Sequence, residues 1–176
     1  MLISVVVSWV DVSESPRIRD AAPTEVTTLE ALQRRSSNIW EQYREQLAAH
    51  PDAIELPEAF IDNGWVRVAV TADGIPIGFS AVIPSDTGTH ELDGLFVEPK
   101  EMRKGVGTAL IEDAASRARA AGAVGLEVTV GPAQPFYERL GFTVTGTAQT
   151  RFGPAVRMRR ELRKPPLSQA TRSTTR

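Results

Sequence analysis

Three β-branched and apolar runs stand in the middle of this chain, each bounded by turn residues. The runs cover residues 65–71, 75–83 and 89–97, and apolar side chains alternate with polar or small ones along the second run. Ala72-Asp73-Gly74 separates the first two runs, and a segment with Pro, Ser and Gly at 84–88 separates the last two. Because extended runs joined by short turns are typical of antiparallel hairpins, the pattern predicts a three-stranded meander.

Helical periodicity flanks this meander on both sides. Before it, apolar residues between positions 29 and 47 recur at helical spacing, with Thr24 as the predicted N-cap and a break at 36–38. After it, residues 105–121 have the spacing of an amphipathic helix, and Gly122 follows in the position where helices commonly end.

The remaining segments complete the predicted fold. They are a short first strand, a strand after the long helix, a short helix and a final hairpin, at residues 17–20, 123–130, 132–140, 142–150 and 155–162. The order predicts the α/β class, a mixed sheet with helices on its faces. We expect one domain at 17–162, an N-terminal extension at 1–16 and a disordered basic tail at 163–176, which has no acidic residue.

Composition narrows the classes of function. The 176 residues are 41% hydrophobic with a formal net charge of -2, so no basic field exists to attract nucleic acid, and we expect none as partner. The absence of cysteine excludes a cysteine nucleophile, and two histidines make a multi-histidine metal site an unfavourable interpretation. The apolar residues 1–10 are too short to span a membrane and lack the basic start of a signal peptide, so we expect a cytoplasmic protein without a membrane partner.

The most informative segment joins the third strand to the long helix, at residues 95–110. A strand followed by a basic, glycine-containing turn and a helix start presents unpaired main-chain amides, which favour a phosphate group. The glycine pair at Gly105 and Gly107 is no dinucleotide fingerprint, because position 110 is Leu, and no Walker A loop, because Thr108-Ala109 follows.

The surroundings of this turn resemble those of the GNAT family of acetyl-CoA-dependent N-acetyltransferases. The matching motifs are LFVEP at 95–99, MRKGVGTALI at 102–111 and PFYERLGF at 135–142, in that order and at that distance. Met102 departs from the family, which usually has Gln or Arg there. The resemblance implies a GNAT-like fold, with a mostly antiparallel central sheet whose central strands are splayed, and acetyl-CoA as co-substrate.

The resemblance also implies the residues that contact the cofactor. Amides from Arg103 to Thr108, a run that includes Lys104, Gly105, Val106 and Gly107, would hold the pyrophosphate of acetyl-CoA, with the charges of Arg103 and Lys104 beside it. Main-chain groups of Phe96 and Val97 would pair with pantetheine as an added strand does, and the Leu95 amide would polarise the thioester oxygen. Gly94 is a candidate for a bulge that splays the strand, and a plain packing role for it stays open.

The catalytic predictions concern one carboxylate and one phenol. Glu91 lies fourteen residues before Gly105, the spacing of the general base in histone-acetylating members of the family, and Asp93 is the second candidate. Strand alternation predicts that both share a face with Leu95 and Val97. By the same resemblance, Tyr137 holds the place of a family tyrosine that often protonates the CoA thiolate.

These observations predict an N-acetyltransferase that moves acetyl to a primary amine by direct attack in a ternary complex. The acceptor is a small molecule or a protein, and the sequence does not choose between them. A non-catalytic acyl-CoA-binding sensor with the same fold is the alternative, and a larger acyl group is a further one. The edge strands of the last hairpin make a homodimer our preference.

Overall fold

A seven-stranded sheet runs through the middle of the protein. The structure, a computed structural model, describes residues 15–162. The predicted basic tail and residues 1–14 of the predicted N-terminal extension lie outside the described residues.

Strands and helices alternate much as the sequence predicts. The strands are β1 (Arg17–Asp20), β2 (Val66–Val70), β3 (Pro76–Pro84), β4 (Thr89–Val97), β5 (Gly125–Val130), β6 (Thr143–Thr150) and β7 (Gly153–Glu161). The α-helices are α1 (Val26–Ser37), α2 (Glu41–Ala49), α3 (Glu58–Asp62), α4 (Val106–Ala120) and α5 (Gln134–Arg139). Short 3-10 turns cover Pro23–Glu25, Pro51–Ala53 and Pro99–Glu101.

The sheet has the order β1-β2-β3-β4-β5-β7-β6, and every neighbouring pair is antiparallel except β4 and β5. The crossover through α4 makes these two strands parallel, because a helix returns the chain to the same end of the sheet. The predicted mixed, mostly antiparallel sheet is therefore confirmed, with its single parallel pair at the centre.

Helices cover both faces of this sheet. On one face Leu29 and Leu32 of α1 pack with Phe79 of β3. On the other face Ile111 of α4 packs with Leu126 of β5 in the larger core cluster. Because β3 is buried on both sides over residues 77–81, its alternating sequence pattern does not appear as alternating exposure.

Of two local predictions about helix ends, the structure contradicts one and agrees with the other. Thr24 is not an N-cap, because Pro23–Glu25 forms a 3-10 turn and the Glu25 carboxylate accepts a hydrogen bond from the Ala22 amide at 2.8 Å. Gly122 adopts φ +89°, as predicted for a residue that ends a helix. Within residues 15–162, no helix combines the length and apolar character needed to cross a bilayer.

Candidate active site

The two parallel strands separate soon after they begin, and the gap between them forms the centre of the candidate site. β4 and β5 are paired only from Thr89 with Gly125 to Glu91 with Glu127. Along β3 the register then shifts, so that Gly94 faces Ala81 while Leu92 faces Val82. We call the wedge beyond Glu91 the β4–β5 opening.

Asp93 is the residue left without a partner at this shift, which makes it the extra residue of a β-bulge. The predicted bulge is present in β4, but its extra residue is Asp93, the immediate neighbour of Gly94. The packing interpretation of this glycine also holds, because a Cβ at Gly94 would lie 2.7 Å from the Phe96 ring. The bulge bends β4 at the point where it leaves β5.

Main-chain groups of β4 face the opening at alternate residues. The Glu98 amide donates to the Ile77 carbonyl at 2.9 Å, and Phe96 occupies the equivalent position opposite Phe79 in the same antiparallel ladder. The expectation that Phe96 offers its main chain to pantetheine is therefore wrong, because its amide and carbonyl point towards β3. Leu95 and Val97 have the opposite parity, and their main-chain groups point towards the opening.

Helix α1 is attached to the end of β4 by two consecutive residues. The Ser36 hydroxyl, which is buried, accepts a hydrogen bond from the Val97 amide at 3.2 Å. The Arg35 guanidinium donates to both carboxylate oxygens of buried Glu98, with Nε distances of 3.0 and 3.1 Å. Sequence reasoning missed both contacts, because Ser36 was interpreted only as part of a helix break.

The turn after β4 carries a continuous run of unpaired amides. Met102 donates weakly to Pro99 at 3.4 Å, and the first bond of α4 runs from Ala109 to the Gly105 carbonyl at 2.9 Å. Within residues 15–162, none of the six amides from Arg103 to Thr108 donates to a protein acceptor. An anion at this helix N-terminus would satisfy them together.

Backbone geometry at this turn is unusual in two places. Arg103 has φ +63°, the only such value for a non-glycine residue in the described chain, and Gly105 has φ +85° as the N-cap of α4. A Cβ at Gly105 would meet no atom within 4 Å, so this glycine is required by its φ and not by lack of space. Lys104 pairs with Glu101 at 3.2 Å, and the Arg103 side chain is exposed.

Gly107 has a packing role in the structure, whereas the sequence suggests only a role in binding phosphate. A Cβ there would lie 3.1 Å from the Phe136 ring and 3.7 Å from Val97. The glycine thus lets α5 pack closely against the start of α4, and a side chain added at 107 would enter that contact before it reached the phosphate space.

A cleft on the α1 face of the sheet leads to the bulge, and we call it the acceptor-side cleft. Its volume is about 320 Å³. Its walls are mostly apolar and come from α1, α2, the α2–α3 connection, β3, β4 and Phe152 after β6. Asp93 and Glu55 are the two charged residues that line it, and no basic side chain of the described residues does.

The bulge also changes which side chains share a face. Asp93 lines the acceptor-side cleft, whereas Leu95 and Val97 pack on the opposite face against residues of α4 such as Val106. The prediction that Leu95 and Val97 lie on the same face as Asp93 and Glu91 is therefore wrong, because the extra residue reverses the alternation. Glu91 stands at the narrow end of the opening, exposed and in register with Glu127.

The electrostatic environments of the two carboxylates differ. The walls around Asp93 remove part of its water, and this desolvation raises the pKa of its carboxyl above the ordinary value. The carboxylate still contacts solvent in the cleft, because Asp93 is exposed. Of the two carboxylates, Asp93 lines the acceptor-side cleft and Glu91 does not.

Tyr137 lies on the other face of the sheet. It is 6% exposed and belongs to the core cluster against which Leu95 packs, between the edges of Phe136 and Phe142. Burial raises the pKa of its phenol well above the ordinary value, so the hydroxyl keeps its proton at all working pH values. The structure thus puts Tyr137 and Asp93 on opposite faces beside one opening.

Two aromatic residues that line the acceptor-side cleft have no functional role in the sequence analysis. Tyr43 lines the acceptor-side cleft together with Phe152, at 5.7 Å between ring centroids. Arg151, next to Phe152 in the chain, pairs with Asp52 at 3.1 Å on the surface. Helical spacing alone gave no signal that would separate a cleft-lining Tyr43 from a core residue.

Comparison with known proteins agrees with this geometry. Residues 28–142 match the sequence profile of the Acetyltransferase (GNAT) family. The chain is 32% identical over 136 residues to the peptidyl-lysine N-acetyltransferase YjaB of Salmonella typhimurium, a match that covers 75% of this chain and 86% of that protein.

Solved structures share the fold. The PaiA N-acetyltransferase of Thermoplasma acidophilum in complex with coenzyme A aligns with a TM-score of 0.65 at 23% identity, over 84% of this chain and 99% of that one. The apo-form of YjaB from Escherichia coli aligns with a TM-score of 0.64 at 25% identity, over 85% of this chain and 98% of that one.

Proposed function

The chain belongs to the GNAT family and is an acetyl-CoA-dependent N-acetyltransferase, and from this premise we propose that its acceptor is the ε-amine of a lysine side chain in a peptide or protein. The observation that carries the proposal is the acceptor-side cleft, where Asp93 and Glu55 are the charged lining residues and the other walls are mostly apolar. The similarity to a peptidyl-lysine N-acetyltransferase supports it.

A lysine side chain suits these walls for two reasons. Its ammonium is attracted by the carboxylates, and its four-carbon stem can lie against apolar residues such as Phe79 and Phe96. A volume of about 320 Å³ is near the lower limit for ligand sites, which suits one slender side chain better than a multi-ring amine. Acceptors that carry their own carboxylate near the amine would be repelled by Asp93.

The residues around the opening fit acetyl-CoA, which supplies the acetyl group as a thioester. We assign the pyrophosphate to the amides from Arg103 to Thr108, whose lack of protein acceptors is the fit that matters. The main-chain groups of Leu95 and Val97 would pair with pantetheine, because both point into the opening. Lys104 would add positive charge next to the phosphates.

Asp93 and Tyr137 assist the reaction from opposite faces of the sheet. A lysine amine, with an ordinary pKa of about 10.4, arrives protonated, and Asp93 accepts its proton on the α1 face. Glu91 stays the alternative base. Tyr137 donates its hydroxyl proton in a hydrogen bond to sulfur on the α4 face. Because burial raises its pKa, the phenol is a weaker acid than a thiol. It therefore stabilises the leaving thiolate as a hydrogen-bond donor and keeps its own proton, and the thiolate takes its proton from solvent.

Catalysis is favoured over a purely acyl-CoA-binding sensor, because the matching relatives are N-acetyltransferases. A cytoplasmic location, a homodimer and a single domain at 17–162 stay predictions. The outer edges of β1 and β6, which end the sheet, are the strands at which a second copy could pair.

The test measures thiol release from acetyl-CoA with a panel of acceptors, followed by mass spectrometry of the products. We expect turnover with lysine-containing peptides and acetylation at the ε-amine. N-acetylated, amidated glutamine peptides serve as controls without a free amine, and free glutamate tests the predicted repulsion. Turnover confined to α-amines of acidic amino acids or to multi-ring amines would overturn the proposed acceptor.

A further inference from the structure

Tyr43 reaches from α2 across the β4–β5 opening to the far strand. Its hydroxyl lies so close to Gly131, the residue after β5, that a Cβ built on this glycine would be 2.1 Å from the oxygen. Tyr43 also lines the acceptor-side cleft, whose inner wall is Asp93 and Gly94 on β4. Tyr43 therefore contacts the residue that follows β5 and faces β4 on the other side of the opening.

The position of Tyr43 is held from the hairpin between β6 and β7. Its ring contacts Phe152 with centroids 5.7 Å apart, and the Arg151 guanidinium stands 5.6 Å from the centre of the same Phe152 ring. Arg151 also pairs with Asp52 at 3.1 Å, which connects the hairpin to the segment after α2. The ion pair is exposed and contributes little alone, so the aromatic contact is the main restraint.

From these contacts we infer that Tyr43 determines acceptor specificity, by closing the cleft at the end of β5 so that only a primary amine on a slender, unbranched stem reaches Asp93. The inference rests on the proposed function and adds a limit on the girth of the substrate. Gly131 is part of the device, because any larger residue there would push the Tyr43 hydroxyl away. Apolar pockets discriminate between substrates that differ by one methylene by roughly 10- to 200-fold.

The first experiment replaces Gly131 and then relieves the collision. Gly131→Ala should raise the KM for a lysine peptide several-fold and leave the KM for acetyl-CoA unchanged, because the new methyl displaces Tyr43. In the double variant with Tyr43→Phe, the nearest ring carbon would be 3.5 Å from that methyl, an ordinary contact. The acceptor KM of the double variant should therefore return to that of Tyr43→Phe alone.

Gly146→Ala is the matched control, since a Cβ on Gly146 meets nothing within 4 Å. It should have the acceptor KM of the wild type. Equal effects of Gly131→Ala in the presence and absence of the Tyr43 hydroxyl would overturn the inference.

A second variant tests specificity directly. For Tyr43→Ala we expect the ratio of kcat/KM for cyclohexylmethylamine to that for n-butylamine to rise roughly tenfold or more. Both are primary alkylamines, so the ratio reports girth and not amine chemistry. An unchanged ratio in a folded variant with the wild-type KM for acetyl-CoA would overturn the role of Tyr43. Failure of the wild type to acetylate any lysine peptide would instead overturn the proposed function.

Discussion

The main-chain amide of Val97 donates a hydrogen bond to the hydroxyl of Ser36 across 3.2 Å. Val97 ends β4, where β5 has already separated, so the serine oxygen occupies a place that a neighbouring strand's carbonyl would fill. If pantetheine pairs with β4 there, the amide exchanges one acceptor for another. Ser36 thereby connects α1 with the strand that we propose pairs with pantetheine.

Removal of the Ser36 hydroxyl should change the affinity that comes from the pantetheine part of coenzyme A and leave the affinity of the nucleotide part unchanged. We expect Ser36→Ala to bind coenzyme A several-fold more tightly, because the Val97 amide no longer has to leave an internal acceptor, an exchange worth about 1 kcal/mol. Adenosine 3′,5′-bisphosphate, which lacks pantetheine, should bind with unchanged affinity. Isothermal titration calorimetry with each ligand measures the two affinities. Parallel changes in the two affinities would show that Ser36 acts on the fold of the turn and not on the pantetheine strand.

The pH dependence of kcat/KM should distinguish the two candidate bases. The base must be deprotonated, so activity is lost as the pH falls through its pKa, and desolvation raises the pKa of Asp93 above the ordinary value. We expect Asp93→Asn to abolish this acidic limb and to lower kcat by roughly 10²-fold or more, while Glu91→Gln leaves the limb in place.

Stability provides the control for this comparison. The desolvated Asp93 carboxylate is disfavoured in the folded state, so Asp93→Asn should leave Tm equal or raise it at neutral pH. The opposite assignment, Glu91 as base, follows if the acidic limb disappears in Glu91→Gln and persists in Asp93→Asn.

Tyr137 should matter for rate and not for stability. Its side chain belongs to a core cluster, its hydroxyl makes no hydrogen bond to the described residues, and desolvation accounts for its raised pKa, so Tyr137→Phe should keep or increase Tm. We expect kcat to fall on the order of 10²-fold with little change in the Kd of acetyl-CoA. Stopped-flow thiol detection gives the rate, and a wild-type kcat in Tyr137→Phe would exclude its role as hydrogen-bond donor to the leaving thiolate.

Gly105 should combine a backbone requirement with cofactor binding. Gly105→Ala places a Cβ on a residue with φ +85° and should cost about 1 kcal/mol of folding free energy. Gly74→Ala, at φ +83° in the turn between β2 and β3, should cost a similar amount. Only the first variant should weaken coenzyme A binding, because it disturbs the free amides. Equal Kd values for the two variants would count against the proposed phosphate turn.

Local signals in the sequence predicted most of the fold. Strand β4 has the bounds that the pattern predicts, residues 89–97, and α4 lies within the predicted 105–121. Each of the other correct predictions depends on a few consecutive residues. They are the helix end at Gly122, the break near 36–38 and the turn at 72–74. The same is true of the free amides at Arg103–Thr108, since a helix N-terminus leaves them unpaired wherever it occurs.

The sequence by itself therefore determined the order of elements, the family and the turn of free amides before α4, because each depends on neighbouring residues and backbone propensity. The tertiary structure alone decided that Asp93 and Leu95 face opposite sides, since one unpaired residue in the β3–β4 ladder reverses the alternation. It alone brought Ser36 to Val97, 61 residues apart, and Tyr43 to Gly131. Such contacts depend on how distant segments pack, and no local pattern of residue types encodes them.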